Sequence, residues 1–500
     1  MSSLGAAMRM AAAGWTLSRH DALLPREYAS LAPAPARAAA AVLRAISGGA
    51  AAPGRPGERL GRAFEELGPV AIKLGQLLST RADIFGEEFA DDLSRLKDRL
   101  PPFPQAEAEA IVAGSLGRPL STLYARFGPA VAAASVAQAH EAELHDGRRV
   151  AVKVLRPGVD RQVARDTAAM RLGARLADRF VPPARRLEPL AFTAAVARSL
   201  QLELDLRLEA AGASELGQVM AEDGWMTAPE VVWPGVGKRV LTLEWVRGRP
   251  LSDPAVLADP AFDRPALASA VIRGFLTQAL DHGVFHADLH EGNLFAEAPA
   301  QLHAVDFGIV GRLDRDQRRF LAEILWGFLQ RDYRRVAEVH FEAGYVPRSQ
   351  GVDDFAQALR AVGEPIFGRP AREVSMGRLL GQLFEITALF DMHLRPELVL
   401  LQKTMTTVEG VARRIDADSD IWESARPIVQ RWVARELGPA ARARDLAARG
   451  LVVLEALERR LATPEAPAVV VERPREGFSW AAVGVAAAAL AVALLAFTAR

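Results

Sequence analysis

Two short polar motifs constrain the fold of this chain more than any other feature: HADLHEGNLF at residues 286–295 and DFG at residues 306–308. Each stands beside apolar residues of the kind that form strands. Asp288 and Asp306 are eighteen residues apart, and Asn293 lies between them. A fold that uses these three side chains together has to bring the two motifs to one place.

The pattern H-x-D-L-x-x-x-N followed by D-F-G is the catalytic-loop and metal-binding signature of protein kinases. Phosphoryl transfer needs positioned metal ions and a group close to the nucleophile. We therefore expect Asp288 to be the catalytic residue that faces the nucleophile. Asn293 and Asp306 are expected to hold Mg²⁺ against ATP or ADP. Ordinary loop carboxylates are the alternative, which the order and closeness of the two motifs disfavour.

A lysine with a carboxylate partner is expected at the same nucleotide. The stretch VAVK (150–153) matches the V-A-I-K pattern, on a predicted strand as that motif requires. Lys153 would neutralise charge on the α- and β-phosphates. The helix containing LELDLRLEA offers Glu203, Asp205 and Glu209. We assign Glu209 to Lys153, because Glu203 is turned away from Glu209 by about a third of a turn on helical geometry. A solvated lysine and a solvated acidic stripe are the alternatives.

No glycine-rich phosphate loop precedes this strand, and at that place the chain reads AAASVAQAH (132–140). Alanine lets the backbone come close but lacks glycine's access to positive φ, so the loop would grip phosphates in fewer shapes. The predicted nucleotide-binding residues in this segment are Ala132, Ala133, Ala134, Ser135 and Val136. We also predict nucleotide contacts from Lys153 and Glu244 on predicted strands and from Glu209 on the acidic helix.

Helical segments dominate the rest of the chain. Residues 1 to about 45 read as helical, a Gly/Pro linker covers 47–58, and a strong helical stretch over 60–100 ends at PPFP. Shorter elements follow: a helix over Gln105–Leu116, a hairpin turned by Asp146-Gly147, a helix from about Pro189 to Met220, a strand over 239–246, and an almost wholly helical region from Pro254 onward apart from loops around 285–310.

The helix containing AIKLGQLLSTR (71–81) places Lys73, Gln76 and Thr80 on one face. Taken alone, such a stripe indicates a solvated face. Gly75 inside the helix costs about 1 kcal/mol relative to alanine. Its presence therefore predicts close packing of this helix against another element.

Composition and charge exclude some classes of protein. Lys+Arg and Asp+Glu both number 61, and this zero net charge disfavours nucleic acid as a partner, since such binding needs a basic excess. The absence of cysteine excludes disulfides and thiolate metal sites. Residues 480–497 carry no charge, and as a helix they nearly span the ~30 Å hydrocarbon core of a bilayer. We expect a C-terminal membrane anchor there, with a buried alanine-rich helix as the alternative.

The combination of K-x-G-Q at 73–76, AAASVAQAH, VAVKVLRPG, E-x-D at 203–205, HADLHEGN and DFG resembles the UbiB/ADCK family, which are atypical kinase-like proteins of ubiquinone biosynthesis. The similarity covers about residues 60 to 420. It implies an α+β, mainly α, two-lobed protein-kinase-like fold with an N-terminal helical extension, to which we add the C-terminal transmembrane helix. It also implies that Lys73 pairs with Glu203 or Asp205 above the active site, which leaves Glu209 for Lys153.

The resemblance further implies binding of Mg-nucleotide and hydrolysis of ATP, with an altered nucleotide preference from the alanine-rich loop. The implied partners are a lipid or quinone precursor, the membrane and other ubiquinone-biosynthesis proteins. The implied place is the cytoplasmic side of the bacterial inner membrane. A homodimer through Gly484 and Ala488 of the anchor is a weaker expectation. The residues expected to regulate the site are Lys73, Gln76, Glu203 and Asp205.

The expected domains are an N-terminal helical extension (1–125), a kinase-like N-lobe (126–247), a helical C-lobe (248–440), a helical linker (441–478) and a transmembrane anchor (479–499). Between Asp306 and Tyr333 there is no Ser, Thr or Tyr, and that stretch contains no A-P-E. A peptide-docking activation loop is therefore missing, which disfavours a protein-kinase role. We expect an atypical kinase or ATPase, with a small-molecule phosphotransferase and a nucleotide-binding pseudokinase scaffold as alternatives.

Overall fold

The computed structural model describes residues 3–31, 34–48, 53–79, 86–94, 96, 101–180, 188–365, 386, 389–392 and 396–438 of the chain. The chain divides into two compact units, Met1–Arg435 and Glu436–Arg500, and the described residues belong almost entirely to the first. That unit contains a helical N-terminal part, a four-stranded sheet and a mainly helical C-terminal part.

The described N-terminal part is helical up to the first strand, with 3₁₀ segments at Arg26–Leu31 and Leu120–Thr122. Its helices are α1 Ser3–Arg19, α2 Ala34–Ile46, α3 Pro56–Leu67, α4 Pro69–Ser79, α5 Glu87–Ser94 and α6 Gln105–Leu116. The predicted bounds of α6 are confirmed. The stretch over 60–100 that was expected to be helical is divided between separate helices: Gly68 adopts φ +96°, and Pro69 then begins α4. Proline suits the first turn of a helix but not its interior.

Helix α4 is packed on two sides, which confirms the inference from Gly75. A Cβ on Gly75 would overlap the side chains of Phe64 and Leu96, so the glycine permits a close approach between α4 and its neighbours. On the other side, Val70 and Leu74 join the apolar cluster that contains Leu155 of the sheet. Helix α4 therefore connects the N-terminal helices to the sheet.

The four-stranded sheet is antiparallel, in the order β1-β2-β3-β4. Its strands are β1 Tyr124–Ala133, β2 Ala137–Leu144, β3 Arg149–Leu155 and β4 Val240–Glu244. The predicted turn between β2 and β3 is confirmed, with Gly147 at φ +85°. In the register of β3, Lys153 lies between Ala139 of β2 and Leu241 of β4.

Strand β1 was not expected from the sequence, because Gly128 and Pro129 interrupt its alternation and its pairing with β2 contains register shifts. The presence of β1 corrects the interpretation of the alanine-rich segment as a phosphate-binding loop. Ala132 and Ala133 belong to β1, and only residues 134–136 connect β1 to β2.

Between β3 and β4, the described residues form the α-helices α7 Val159–Phe180, α8 Pro189–Glu203 and α9 Leu206–Asp223. The single helix expected over 189–220 is wrong, because it breaks after Glu203. The Asp205 side chain accepts a hydrogen bond from the Arg207 N–H and caps α9. Aspartate is a favoured residue at this position, since it satisfies a backbone donor that the first turn leaves unpaired.

The C-terminal part is mainly helical, but the region around 285–310 that was expected to be loops contains short strands. The helices are α10 Pro254–Ala258, α11 Arg264–Thr277, α12 Arg315–Gln330, α13 Tyr333–Glu342, α14 Val352–Gly363, α15 Pro396–Ile415 and α16 Ile421–Glu436. The strands are β5 Arg249–Pro250, β6 Val284–His286, β7 Leu294–Glu297, β8 Gln301–Ala304 and β9 Val310–Arg312, which form the antiparallel sheets β5-β7-β8 and β6-β9.

Within the described residues, no helix has the length and apolar character needed to cross a membrane. The expected linker (441–478) and transmembrane anchor (479–499) lie outside the described residues.

Candidate active site

The catalytic loop is held by His286, the last residue of β6, whose ring is fully buried. Its Nδ1 accepts a hydrogen bond from the Asp288 N–H at 3.1 Å, so Nε2 carries the proton and donates to the Val305 carbonyl at 3.0 Å. Burial lowers the pKa of His286, in keeping with a neutral ring. The ring thus fixes the backbone of Asp288 against the residue that precedes Asp306.

Asn293 closes the same loop from its other end and is buried. Its Nδ2 donates to the Asp288 carbonyl at 3.1 Å, and its own carbonyl accepts from the Val305 N–H at 2.9 Å. The side-chain oxygen of Asn293 takes part in neither of these two hydrogen bonds. The Asp288 carboxylate remains about one-third exposed, as a group that meets a substrate must be.

The DFG segment is fixed by packing around Phe307. This side chain is buried, and its ring centroid lies 5.2 Å from that of His286. Gly212 of α9 approaches from the opposite side, where a Cβ would come within 3.0 Å of the Phe307 carbonyl. Asp306 itself adopts φ +63°, a left-handed conformation that aspartate tolerates better than most residues. Its carboxylate is half-exposed.

Lys153 contacts Glu209, the carboxylate assigned to it from the sequence, and also Asp306. Its Nζ lies 2.7 and 2.9 Å from the two Glu209 oxygens and 3.4 Å from Asp306 Oδ1. The predicted pairing of Lys153 with Glu209 is confirmed. The charge of Lys153 lowers the pKa of Asp306 to about 2, so this carboxyl is ionised at neutral pH. Burial disfavours the charged lysine, but Asp306 and Glu209 overcome this and raise its pKa.

The Lys73 ammonium lies 2.7 Å from Glu203 Oε1, and both side chains are mostly buried. Of the two implied partners, the structure selects Glu203. Asp205 pairs instead with Arg207, at 2.6 Å, besides capping α9. Gln76, one turn along α4 from Lys73, is half-buried.

The helical-wheel argument that separated Glu203 from Glu209 is wrong. It assumed one helix, whereas the chain turns between α8 and α9. Glu203 therefore interacts electrostatically with both Lys153 and Asp306. The N-terminal helix α4 thus reaches the same group of charges as the sheet and the DFG segment.

Comparisons with known families match this architecture. Residues 95–340 match the ABC1 atypical kinase-like domain, and residues 359–420 match the UbiB helical domain. A curated protein of Marinobacter nauticus, named probable protein kinase UbiB, is 41% identical over 395 residues, which cover 78% of this chain and 72% of the relative.

The chain belongs to the UbiB family. A second relative of the same name, from Pseudomonas putida strain W619, is 40% identical over 441 residues, 85% of this chain and 81% of the relative. A solved structure of Rv3197 from Mycobacterium tuberculosis, a complex with erythromycin, covers 79% of this chain and 98% of its own with a TM-score of 0.52. At 22% identity, this likeness shows that the two proteins share a fold.

The alanine-rich connection of this UbiB protein is tied to the end of β3. The Arg156 side chain donates to the Ala134 carbonyl, and the Arg156 N–H donates to the Val136 carbonyl, both at 2.9 Å. Ser135 is buried. These bonds hold a short connection close to the strand of Lys153. The nucleotide contacts assigned to this segment remain predictions.

Glu244, the other nucleotide-binding candidate, lies at the end of β4 opposite Val150. Three register steps separate it from Leu241, which pairs with Lys153. At about 3.3 Å per residue, this places Glu244 roughly 10 Å along the strand from the Lys153 position. Glu244 is therefore not part of the charged group around Asp306.

The donor atoms at this site fit a magnesium ion. Within the described residues, no group of three or more His, Asp or Glu side chains could hold a metal ion alone. Mg²⁺ in nucleotide sites, however, takes one or two protein oxygens and completes its shell with phosphate and water. The ionised Asp306 and the side-chain oxygen of Asn293 provide such a pair.

The sequence interpretation missed a contribution from α15 in this UbiB fold. Thr404 Oγ1 donates to the Ala287 carbonyl, next to Asp288, at 3.1 Å. Arg414 of the same helix forms an ion pair with Glu291 in the catalytic loop. Lys403 lies beside Thr404 and interacts electrostatically with Asp288. The available signal was the single lysine that follows the apolar run LVLL in LVLLQKTM.

Proposed function

We propose that this UbiB-family protein binds Mg-ATP or Mg-ADP and hydrolyses ATP slowly, in support of ubiquinone biosynthesis at a membrane. The observation that carries this proposal is the convergence of Lys153, Asp288 and Asp306. Lys153 lies 3.4 Å from Asp306, and the residue before Asp306 is bonded through His286 to the backbone of Asp288.

Each residue has a distinct role in this proposal. Glu209 holds the Lys153 ammonium where it neutralises phosphate charge. Asp288, held at its backbone by His286 and Asn293, orients the attacking water through its exposed carboxylate. Asp306 and Asn293 would hold magnesium, and the chemistry that the ion would supply is neutralisation of phosphate charge.

The segment after DFG argues against a protein substrate. Strand β9 begins at Val310 and pairs with β6, and α12 begins at Arg315. Only residues 309–314, which include the short strand β9, separate DFG from α12. The chain therefore has no long segment there. A protein kinase requires such a segment to dock and phosphorylate peptides. We therefore propose water or a small molecule as the phosphoryl acceptor.

The Lys73–Glu203 ion pair supports the same conclusion. It holds α4 beside the charges that would surround the phosphates. A helix in this position restricts access by a folded protein or an extended peptide. The site suits hydrolysis in an enclosed space, with Lys73, Gln76 and Glu203 controlling access to it.

The proposed place of action is supported by apolar sequence and apolar surface. We propose attachment through residues 480–497 to the cytoplasmic side of the bacterial inner membrane, with a lipid or quinone precursor and other ubiquinone-biosynthesis proteins as partners, and possible pairing of anchors as a homodimer. Exposed apolar residues on the first two helices offer further contact with lipid, namely Leu4, Met8, Trp15, Val42 and Ile46.

The test is nucleotide binding and phosphate release, with and without Mg²⁺, for wild type and Asp306→Asn. We expect Mg-dependent binding and slow ATPase activity that rises with lipid vesicles, and loss of both in Asp306→Asn. Asp316→Asn, an exposed aspartate on α12, is the matched control and should behave as wild type. Equal phosphate release by wild type and Asp306→Asn would contradict an enzymatic role and favour a nucleotide-binding scaffold. Rapid phosphorylation of an aminoglycoside-like compound would favour a small-molecule phosphotransferase.

A further inference from the structure

Helix α15 is fastened to the catalytic loop on both sides of Asp288. Thr404 bonds to the carbonyl of Ala287, which precedes Asp288, at 3.1 Å in a buried position. Ten residues further along α15, Arg414 pairs with Glu291 on the other side of Asp288. A helix held at two points along one loop presents the side chains at and next to those points at a defined place.

Lys403, adjacent to Thr404, is half-buried at this contact. Among the described residues, no hydrogen bond or ion pair joins its ammonium to another side chain. Its charge is attracted by Asp288 and repelled by Lys73, and burial lowers its pKa. A partly buried ammonium without a bonded anion is costly unless a ligand supplies one.

The small number of lysines in the chain supports a role for Lys403 at this site. The chain contains only five lysines among its 61 basic residues, since arginine is used nearly everywhere else. Lys73 and Lys153 belong to the site described above. Lys403 of α15 is near enough to Asp288 and Lys73 to interact with them electrostatically. An ammonium is a compact point charge on a flexible stem, which suits contact with a phosphate that has to move.

We propose that Lys403 binds the terminal phosphate of the nucleotide on the Asp288 side of the site, opposite Lys153. This inference rests on the proposed nucleotide-binding function. Lys153 is held by Glu209 and Asp306, whereas Lys403 interacts with Asp288, the group that faces the nucleophile. The phosphate nearest the nucleophile is the terminal one. A cation there stabilises the charge that develops during transfer.

The proposal predicts that the loss of Lys403 affects the binding of ATP and of ADP differently. A charge-assisted contact with the terminal phosphate is made only with ATP, so its loss should weaken ATP binding alone. For Lys403→Met we expect about a tenfold rise in the Kd for a non-hydrolysable ATP analogue with Mg²⁺. The Kd for ADP should change less than about twofold.

Calorimetric titration of wild type, Lys403→Met, Lys403→Arg and Lys238→Met tests this. Lys403→Arg keeps the charge and should retain most of the preference for ATP. Lys238→Met removes an exposed lysine and should match wild type. If Lys403→Met weakens ATP and ADP equally, or neither, the proposal is overturned. If wild type binds no nucleotide at all, the proposed function itself fails.

A second measurement uses wild type alone and does not depend on the folding of a variant. An acyl-phosphate derivative of ATP is attacked by a neutral lysine amine at the acyl carbon. An amide forms, the carbon–oxygen bond to phosphate breaks, ATP leaves with the electron pair, and the amine proton passes to solvent. Mass spectrometry should find Lys403 acylated, with protection by excess ATP but not by AMP, and Lys238 unprotected by either. Labelling of Lys153 without Lys403 would contradict the proposal.

Discussion

Lys73 of α4 and Glu203 at the end of α8 form an ion pair, with 2.7 Å between Nζ and Oε1. This contact joins the N-terminal helices to the charged group that contains Lys153 and Asp306. One pair of side chains therefore couples the position of α4 to the electrostatics of the phosphate site.

Replacing Lys73 with Met should lower the free energy of unfolding by about 2 kcal/mol, since Glu203 would remain mostly buried without its cation. Adding Glu203→Gln to Lys73→Met should lower the free energy of unfolding little further, because the double variant no longer buries an uncompensated charge. Urea denaturation of both single variants and the double variant measures the coupling. Strictly additive losses would show that the two side chains contribute independently.

Lys153→Met should weaken ATP binding at least about tenfold, since a cation at the phosphates is lost and Glu209 and Asp306 are left close to the phosphates' own charge. Titration with nucleotide and Mg²⁺ provides the measurement. Glu215→Gln is the matched control, because Glu215 lies on the same helix as Glu209 but pairs with Arg312 at the surface. An affinity unchanged in Lys153→Met would exclude the assigned role of this lysine.

Gly212→Ala should reduce both nucleotide affinity and ATPase activity, because the added methyl comes within 3.0 Å of the Phe307 carbonyl and of Val310. The DFG segment must move to admit it. Gly217→Ala is the control on the same helix, where a Cβ meets Ala228 at an ordinary 3.6 Å. That variant should keep its activity and gain up to about 1 kcal/mol from helix propensity. Equal effects of the two substitutions would count against close packing at Gly212.

His340 should make the folded state sensitive to acid. It is buried, its Nδ1 donates to the Val336 carbonyl at 2.7 Å, and burial lowers its pKa to about 4. The unfolded chain binds this proton near pH 6.5, so the stability is fully present above that pH and is lost as pH falls from 6.5 toward 4. The loss amounts to roughly 3 kcal/mol.

The measurement is urea denaturation of wild type and His340→Gln at several pH values between 4 and 7.5. The variant should lose part of the pH dependence, while other buried histidines such as His286 contribute the remainder. The exposed His145→Gln serves as the control and should retain the wild-type slope. A slope unchanged in His340→Gln would show that this ring accepts a proton in the folded state.

Structural elements that are set by residues adjacent in the chain could be predicted from the sequence. The helix over Gln105–Leu116 ends at Gly117 in a left-handed conformation, and the hairpin turns at Gly147, both of which follow from glycine's freedom at positive φ. Local reasoning failed where one residue had two structural options. The sequence predicted that Asp205 lies inside a continuous helix, but its side chain caps the start of α9. Glu203 therefore ends the preceding helix α8, where it pairs with Lys73.

The sequence by itself determined which chemical groups this protein carries and the family to which it belongs, because the motifs HADLHEGN, DFG and VAVK each occupy a few consecutive residues. Only the tertiary structure decided that Lys73 pairs with Glu203 and that α15 brings Lys403 toward Asp288. More than a hundred residues separate the members of each pair. Contacts over such distances depend on how whole helices pack, and the identity of neighbouring residues does not specify that packing.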